Sequence, residues 1–510
     1  MKKYEEALTA VEIAITNADL DYRIKTIQRK AEILRALNRF NQIEKMYKEE
    51  VEREENDARK KLYQDEKTKI SDYLSNLAKQ NVHKVDETPW MRIKRLSATK
   101  PNYPAVGSSD WLLYTSSVEW EEQMTLVRKL QYGYNAQMPD LQQVSNIILE
   151  EPRAFALRSN DDLNKLQMLL SFSQQMRNAI GPQFSAEKII STYNDRLKTE
   201  GWDKVRPALS VTVRALYMFT LVHLLNETPA ESIPVLKKCI DVLELADKKW
   251  PEKQFPDRGA TISNTFIRKL KVRLAESMSM VISQGAQDAV DLEHMKQLCN
   301  QVLSDCEKHP AMLHQVGAKF YLSFQIYCVA DAHFSLSHYY KTKACEKKKD
   351  EKGYLIYDSE YLKKAITHYM YAARWYPEDE PNRSVVLWGV LECLILKGGA
   401  SLNQLLDFRR DALEQDQKLA PVWGKVGDRK SEFAQSQIET IKSDFDRHGV
   451  SYDVVIPAMR EVETNTVEQA QQVMDVLKKN NFTSDTETVK FISVLAKMKN
   501  DKPEVGANLD

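Results

Sequence analysis

The stretch KKAITHYMYAARWYPED, residues 363–379, decides the fold. Within it, Ala365, Tyr369 and Ala372 recur at spacings of four and three residues, which puts them on one face of an α-helix. The two small residues allow a second helix to approach closely, and the tyrosine ring fills the gap between the helices. Pro377 ends the helix because proline cannot continue its hydrogen bonding. The stretch therefore predicts one member of a packed pair of helices.

The spacing A-x3-Y-x2-A-x4-P in this stretch resembles the second helix of a tetratricopeptide repeat (TPR). A helix pair of that family cannot bury its apolar face alone, so neighbouring pairs stack on it. The resemblance implies an all-α, TPR-like helical-repeat array (α-solenoid). The usual work of such an array is to hold another polypeptide.

A second TPR-like pair is predicted near the start of the chain. Ile27, Ala31 and Leu34 lie on one face of a first helix, and Ile43 and Tyr47 continue the pattern on a second. The turn between them has Asn38 where the family often has Gly, and Glu50 stands where the family prefers Ala.

The first residues, from Tyr4 to Ala14, show the small–aliphatic–small spacing of a second helix with no first helix before it. We interpret them as a degenerate cap or as the remainder of a repeat that begins upstream. Their apolar face, formed by Tyr4, Ala7, Leu8, Val11 and Ile15, needs a cover. The candidates are a long charged helix predicted over residues 47–80, a second copy of the chain, or a segment absent from it.

Punctuation by proline and glycine divides the chain into five regions. We expect an N-terminal pair with its long helix at 1–84, an irregular linker at 85–110 and a degenerate repeat domain at 111–450. A small helical segment at 451–500 and a disordered tail at 501–510 follow. In the repeat domain we predict a capping box at Thr228-Pro229-Ala230-Glu231 and one helix from Pro310 to about Lys343.

The segments WPEKQFPDRG, from Trp250 to Gly259, and YPEDE, from Tyr376 to Glu380, look like those of a group of uncharacterised fungal TPR-like proteins. That similarity covers roughly residues 208–440 in ordered blocks. Some members of the group carry a MYND-type zinc finger. This chain lacks the paired CxxC spacings of the finger, so the resemblance implies no zinc-dependent function here.

Composition agrees with a helical stack. There are only 15 glycines among 510 residues, under half the usual frequency of roughly 7%, which disfavours sheet proteins and phosphate-binding glycine loops. Lys+Arg and Asp+Glu both total 73, so the basic excess of a typical nucleic-acid-binding protein is missing. Six singly placed cysteines favour reduced thiols inside the cell, in the cytoplasm or alternatively in the nucleus.

Candidate metal and catalytic groups are few. Cys299, Cys306, His309 and His314 straddle a helix end, and we favour buried thiols over a zinc site. Asp161-Asp162 opens a helix, where acidic side chains are stabilised by the helix dipole. We therefore predict no metal and no cofactor.

His333 and His338, with Tyr339, Tyr340 and His368 near them in sequence or register, are the residues from which a pocket could be built. His333 and His338 are five residues apart, which turns them about 140° from each other around a helix. We favour packed or surface histidines. For the nearby aromatic cluster, we expect Tyr369 in the core and Tyr371 exposed.

Lys25 and Arg29 lie one turn apart on the first helix of the N-terminal pair. In peptide-binding TPR domains such a basic pair helps to hold a partner's carboxylates, so these two residues are our candidate binding residues. The sequence as a whole predicts a non-enzymatic scaffold that binds a protein or peptide and spans no membrane. Two alternatives stay open: a helical enzyme whose site is assembled from scattered residues around His333 and His338, and an RNA-binding helical-repeat protein.

Overall fold

A computed structural model gives the fold of the protein, which is all-α; two minimal strand pairs are the exception in its described residues. The structure describes residues 7, 10–11, 14–15, 20–36, 40–54, 56–57, 59–69, 88–130, 139–225, 228–346, 348–349, 355–424, 429–449, 451–453 and 455–456. The chain divides into two compact units, Met1–Glu87 and Thr88–Asp510. The all-α prediction is confirmed.

The N-terminal unit contains α1 (Leu20–Ala36), α2 (Phe40–Arg53) and a further helical run at residues 59–69. Ile27, Ala31, Leu34, Ile43 and Tyr47 are all buried in one cluster. The predicted apolar faces of the first pair are therefore confirmed. They follow from the spacing of three and four residues, which keeps every such side chain on the same side of its helix.

One departure from the TPR-like pattern in this pair, at Glu50, has a clear physical cause. Glu50 is buried, and both its oxygens accept hydrogen bonds from the Arg23 guanidinium at 3.1 and 2.9 Å. The ion pair explains why an acid can stand where the family prefers Ala.

The long helix predicted over residues 47–80 is wrong, because α2 ends at Arg53. Asn56 then accepts a hydrogen bond from the backbone N–H of Arg59, and this cap begins a new helix. Residues 70–80 lie outside the described part of the chain.

The larger unit is built from sixteen helices in its described residues, several of them short. They are α3 (Pro89–Ser97), α4 (Ser109–Arg128), α5 (Leu141–Glu150), α6 (Asn160–Arg177), α7 (Ala186–Glu200), α8 (Trp202–Leu225), α9 (Pro229–Lys249), α10 (Asn264–Ser283), α11 (Leu292–Lys308), α12 (Leu313–Val316), α13 (Ala318–Tyr321), α14 (Tyr327–Ala344), α15 (Ser359–Trp375), α16 (Pro381–Lys397), α17 (Leu402–Trp423) and α18 (Arg429–His448). A π-helical segment, Leu322–Ile326, joins α13 to α14. Two antiparallel pairs complete the list: β1 (Lys348–Lys349) with β2 (Leu355–Ile356), and β3 (Ala400–Ser401) with β4 (Val455–Ile456).

From α8 onward, most long helices pack against the next long helix in the chain. The contacts run from α8 through α9, α10 and α11 to α14, and then through α15, α16 and α17 to α18. Other contacts depart from this nearest-neighbour pattern: α10 also packs on α14, and α16 on α18. Far apart in the sequence, α3 packs on α17, and the start of α4 meets the turn between α15 and α16. In a pure solenoid each repeat would touch only its neighbours.

The stretch that decided the fold is packed as the sequence predicts. Ala365, Tyr369 and Ala372 are fully buried on α15. Gly389 on α16 faces the tyrosine ring so closely that an added Cβ would lie 2.7 Å from Tyr369 Cζ. The aromatic ring thus fills the space that the absent side chain of Gly389 leaves.

Of the two family-like segments, YPEDE makes long-range contacts, and the Arg258 side chain of WPEKQFPDRG makes local ones. In YPEDE, the Asp379 carboxylate accepts the backbone N–H groups of Ser109 and Asp110 at 2.9 and 2.8 Å. A carboxylate at a helix N-terminus is favourable because the first N–H groups lack partners inside the helix. In WPEKQFPDRG, the Arg258 side chain donates to the Asp247 carboxylate and to the Trp250 carbonyl at 2.5 and 2.7 Å.

Several predicted boundaries are wrong. The linker predicted as irregular over residues 85–110 contains α3, and α7 was not predicted. The single helix predicted from Pro310 to Lys343 is broken at Gly317, whose φ of 79° lies outside the helical region. The capping box at Thr228 is not formed, because the Thr228 hydroxyl donates instead to the His223 carbonyl. Of the predicted C-terminal helical segment 451–500, Val455–Ile456 is a strand; most of the segment and the tail at 501–510 lie outside the described residues.

The apolar run within α8, residues 208–225, belongs to the core, since Ala208, Leu209, Val213 and Leu216 are buried. In the described part of the chain, no helix combines the length and the apolar character needed to cross a bilayer.

Candidate functional site

A stripe of ring-bearing and basic side chains follows one side of α15. Its members, Tyr361, Lys364, His368, Tyr371 and Trp375, recur at alternating spacings of three and four residues. At 100° per residue this spacing keeps them within one narrow sector of the helix. Helix α15 begins where Asp358 accepts the backbone N–H groups of Glu360 and Tyr361, which fixes the start of the stripe.

Helix α14 supplies two more rings, His333 and Tyr340, which are seven residues apart and so share one side of that helix. The rings of the two helices alternate in space. Tyr361 lies 6.1 Å from Tyr340, Tyr340 lies 5.2 Å from His368, His368 lies 5.2 Å from His333, and His333 lies 5.1 Å from Tyr371, measured between ring centroids. We call these five rings the aromatic ladder.

A cation lies over each end of the aromatic ladder. Lys364 Nζ is 5.6 and 5.7 Å from the ring centroids of Tyr361 and Tyr340, and the Arg374 guanidinium is 6.0 Å from that of Tyr371. Both basic side chains are exposed, and neither forms an ion pair with any described residue. Positive charge above a ring face is attracted by the ring quadrupole, so the two cations are held in place yet keep their charge available.

The centre of the ladder is a pair of neutral histidines. The Nδ1 atoms of His333 and His368 are 3.0 Å apart, a hydrogen-bond distance that requires one ring to donate and the other to accept. Burial lowers the pKa of His368 to about 4, and burial together with the neighbouring imidazole lowers that of His333 to about 4. Near pH 7 the ladder therefore carries charge only at its two ends.

The outer end of the stripe is open to solvent. Tyr371 is 42% exposed and Trp375 is 39% exposed, whereas Tyr369, on another side of α15, and Tyr376, directly after the helix, are buried. The expected positions of Tyr369 and Tyr371 are thus confirmed. Large exposed rings beside unpaired cations are typical of surfaces that bind another molecule.

A buried polar network joins α14 to the residues between α15 and α16 and to Arg153, which lies between α5 and α6. The Tyr376 hydroxyl donates to Asp331 at 2.7 Å, and the Tyr327 hydroxyl donates to Glu380 at 2.5 Å. Arg153 donates to both oxygens of Glu380 at 2.9 and 3.0 Å. Since these groups are satisfied by one another, they fix the helices behind the ladder.

The same buried region contains two ionisable side chains whose pKa values are shifted by burial. Lys269 is fully buried, and burial lowers its pKa; its Nζ has no hydrogen-bond partner among the described residues. Burial raises the pKa of Asp331 well above its usual range. Both groups lie inside the packing of α10 and α14.

A pocket of about 810 Å³ lies where the ends of α10 and α14 meet the start of α11. His338 lines it, together with Lys341, Lys343 and Glu346. The two lysines are paired, Lys341 with Glu392 and Lys343 with Glu346.

Sequence reasoning grouped His333 with His338, but the structure separates them. His333 belongs to the aromatic ladder, whereas His338 is buried against Phe334 and lines the pocket.

Sequence reasoning did group three of the five ladder rings, His333, Tyr340 and His368. It missed Tyr361 and Tyr371, although the seven-residue recurrence of rings on both helices is visible in the sequence. The sequence does not show that α14 and α15 pack with the rings of α14 beside the stripe of α15.

The other candidates are placed as follows. Cys299 and Cys306 are buried and burial raises the pKa of each thiol to about 12, while His309 and His314 are exposed, so the four side chains do not converge. Asp162 is buried in an ion pair with Arg128, with contacts of 2.8 and 2.9 Å. Across the described residues, no group of three or more His, Cys, Asp or Glu side chains is arranged to hold a metal ion.

Lys25 and Arg29 are both exposed on α1 of the N-terminal unit. Arg29 is paired with Glu32 at 2.7 Å, so part of its charge is already compensated. Binding of a partner by this basic pair stays a prediction.

Comparison with known proteins adds no relative to these observations: no protein-family model matches the chain, and no curated protein sequence is significantly similar to it.

Proposed function

We propose that the protein is a non-enzymatic scaffold that binds a protein or peptide partner, and that the aromatic ladder is its contact surface. The observation that carries the proposal is the combination of exposed rings with two exposed cations that have no acidic partner among the described residues. Aromatic and basic side chains contribute most of the binding energy at protein interfaces. Tyr371 and Trp375 are the residues expected to contribute most, because they are the largest exposed rings of the stripe.

The buried polar network supports this proposal in a second way. A surface binds more tightly when its side chains are already held in the bound arrangement, because less conformational entropy is lost. The contacts of Tyr376 and Tyr327 with buried carboxylates anchor the inner faces of α14 and α15. The proposed binding surface therefore rests on fixed helices.

Further expectations belong to the same proposal. The helix pairs form a TPR-like α-solenoid, the N-terminal helix is a site of self-association, and the protein works in the cytoplasm or, alternatively, in the nucleus. All six cysteines lack disulfides and five of them are buried, which supports a reducing compartment.

The test is a quantitative capture experiment with the full chain immobilised and a native cell lysate as the source of partners. The variant Tyr371→Ser/Trp375→Ser should lose at least one specific partner that the wild-type chain retains. Phe184→Ser is the matched control, because Phe184 is 41% exposed but lies outside the stripe. Equal capture by all three proteins would refute the ladder as the contact surface.

A second variant, Lys25→Glu/Arg29→Glu, tests the basic pair on α1 in the same experiment. Loss of the same partner from this variant would add the N-terminal unit to the binding surface. Retention of all partners would limit recognition to the larger unit.

A further inference from the structure

We propose that the aromatic ladder binds an extended acidic segment, in which two carboxylates flank a proline or an aromatic residue. This inference rests on the proposed function and goes further, since it names the chemistry of the partner. Three features of the ladder carry it: the charge at its ends, the distance between those ends and the neutral centre.

The charge of the occupant follows from Lys364 and Arg374. Each is exposed and lies over a ring, and neither has an acidic partner among the described residues. The neighbouring Lys363, by contrast, is paired with Glu360 at 2.5 Å. An arriving carboxylate would meet two cations that are held in position by their rings and do not have to break an existing ion pair.

The spacing between the two carboxylates of the bound segment follows from the distance between the two cations along α15. Lys364 and Arg374 are ten residues apart, and so are Tyr361 and Tyr371, the rings beneath them. At a rise of 1.5 Å per residue the two ends are about 15 Å apart along α15. An extended chain advances about 3.3 Å per residue, so this distance corresponds to carboxylates four or five positions apart.

The centre of the segment faces His333 and His368, which are neutral near pH 7 because burial keeps the pKa of both imidazoles at about 4. A neutral, ring-lined surface favours a flat or cyclic apolar side chain by stacking. Proline also holds the segment extended before it binds, which lowers the entropy lost on binding.

Single-stranded nucleic acid is the competing occupant, since it too offers negative charge and stacking faces. A strand that crosses the ladder would place several phosphates against only two unpaired cations. Nucleic-acid sites usually neutralise more phosphates than that. The balance of 73 basic and 73 acidic residues over the chain provides no general attraction either. The observations favour the acidic peptide.

The test uses fluorescence anisotropy with the full chain and the labelled peptide Gly-Ser-Glu-Pro-Tyr-Pro-Glu-Ser-Gly at low salt. We expect it to bind about tenfold more tightly than the same peptide with Gln in place of both Glu residues. The charge-reversed variant Lys364→Glu/Arg374→Glu should lose this preference and favour a peptide with Lys at both positions. The control Arg177→Glu/Lys188→Glu makes the same change of net charge at two exposed residues of α6 and α7 and should keep the wild-type preference.

Equal affinity for the Glu and Gln peptides would overturn the inference, as would binding of a labelled ten-residue oligo(U) in preference to the acidic peptide. If the capture experiment succeeds through Tyr371 and Trp375 while the Glu peptide shows no preference, the acidic occupant is wrong and the scaffold function stands. If the capture experiment also shows no dependence on the stripe, both proposals fail.

Discussion

Gly389 on α16 offers the sharpest test of the packing that the fold-deciding stretch predicts. A methyl group added at this position would lie 2.7, 2.8 and 3.1 Å from Cζ, Cε1 and Cε2 of Tyr369. Atoms in proteins do not approach so closely, and Tyr369 is fully buried and cannot swing into solvent. Overpacking of this kind costs about 1–3 kcal/mol.

The same substitution also has a favourable component. Alanine is better than glycine in the middle of a helix by about 1 kcal/mol. We therefore expect Gly389→Ala alone to lower the free energy of unfolding by up to about 2 kcal/mol, the difference between the overpacking cost and this gain.

A double-mutant cycle with Tyr369→Leu separates the two components. The smaller leucine leaves room for the new methyl group, so Gly389→Ala should then stabilise the protein by about 1 kcal/mol. The coupling energy between the two positions should be about 1–3 kcal/mol. The measurement is urea unfolding followed by far-ultraviolet circular dichroism for the four proteins. Additivity within about 0.5 kcal/mol would show that Gly389 and Tyr369 are not in contact, and the packing argument would be wrong.

Three further predictions concern other parts of the chain. In the unfolded chain His333 and His368 titrate near pH 6.5, but in the folded protein the pKa of each is about 4. The unfolded state therefore binds protons first, and stability should fall as the pH falls from about 6.5 to about 4. His333→Gln/His368→Gln should flatten this dependence of the urea midpoint on pH; an unchanged slope would contradict the buried neutral pair. Ser401→Ala should lower the free energy of unfolding in urea by about 1 kcal/mol, because the Ser401 side chain caps α17 in a complete capping box. Thr228→Ala should lower it by less, because the Thr228 side chain forms no cap. An equal loss in the two variants would contradict this prediction. Val11→Asp should lower the melting temperature or abolish self-association, because Val11 packs against the cluster of the N-terminal unit; if neither changes in calorimetry and sedimentation, this helix is not packed.

The all-α class and several buried helix faces could be predicted from the sequence. Ala365, Tyr369 and Ala372 could be assigned to a buried face, as could the apolar positions of α1 and α2, because helical periodicity is a local property of the chain. Boundaries were less certain where a polar side chain decides between two partners. Thr228 illustrates this, since its hydroxyl bonds to the carbonyl of His223 rather than to the N-terminus of α9.

The position of the proposed binding surface depends on how α14 packs against α15, which the sequence does not show. The rings of α14 and α15 are separated in sequence by a loop, and their alternation depends on how the two helices are packed. The contacts of Asp379 and Glu380 with Ser109 likewise join residues about 270 positions apart. Periodicity along one helix shows which of its residues lie on the same side. It does not show which side of a second helix those residues contact, because that contact depends on the packing of the whole unit.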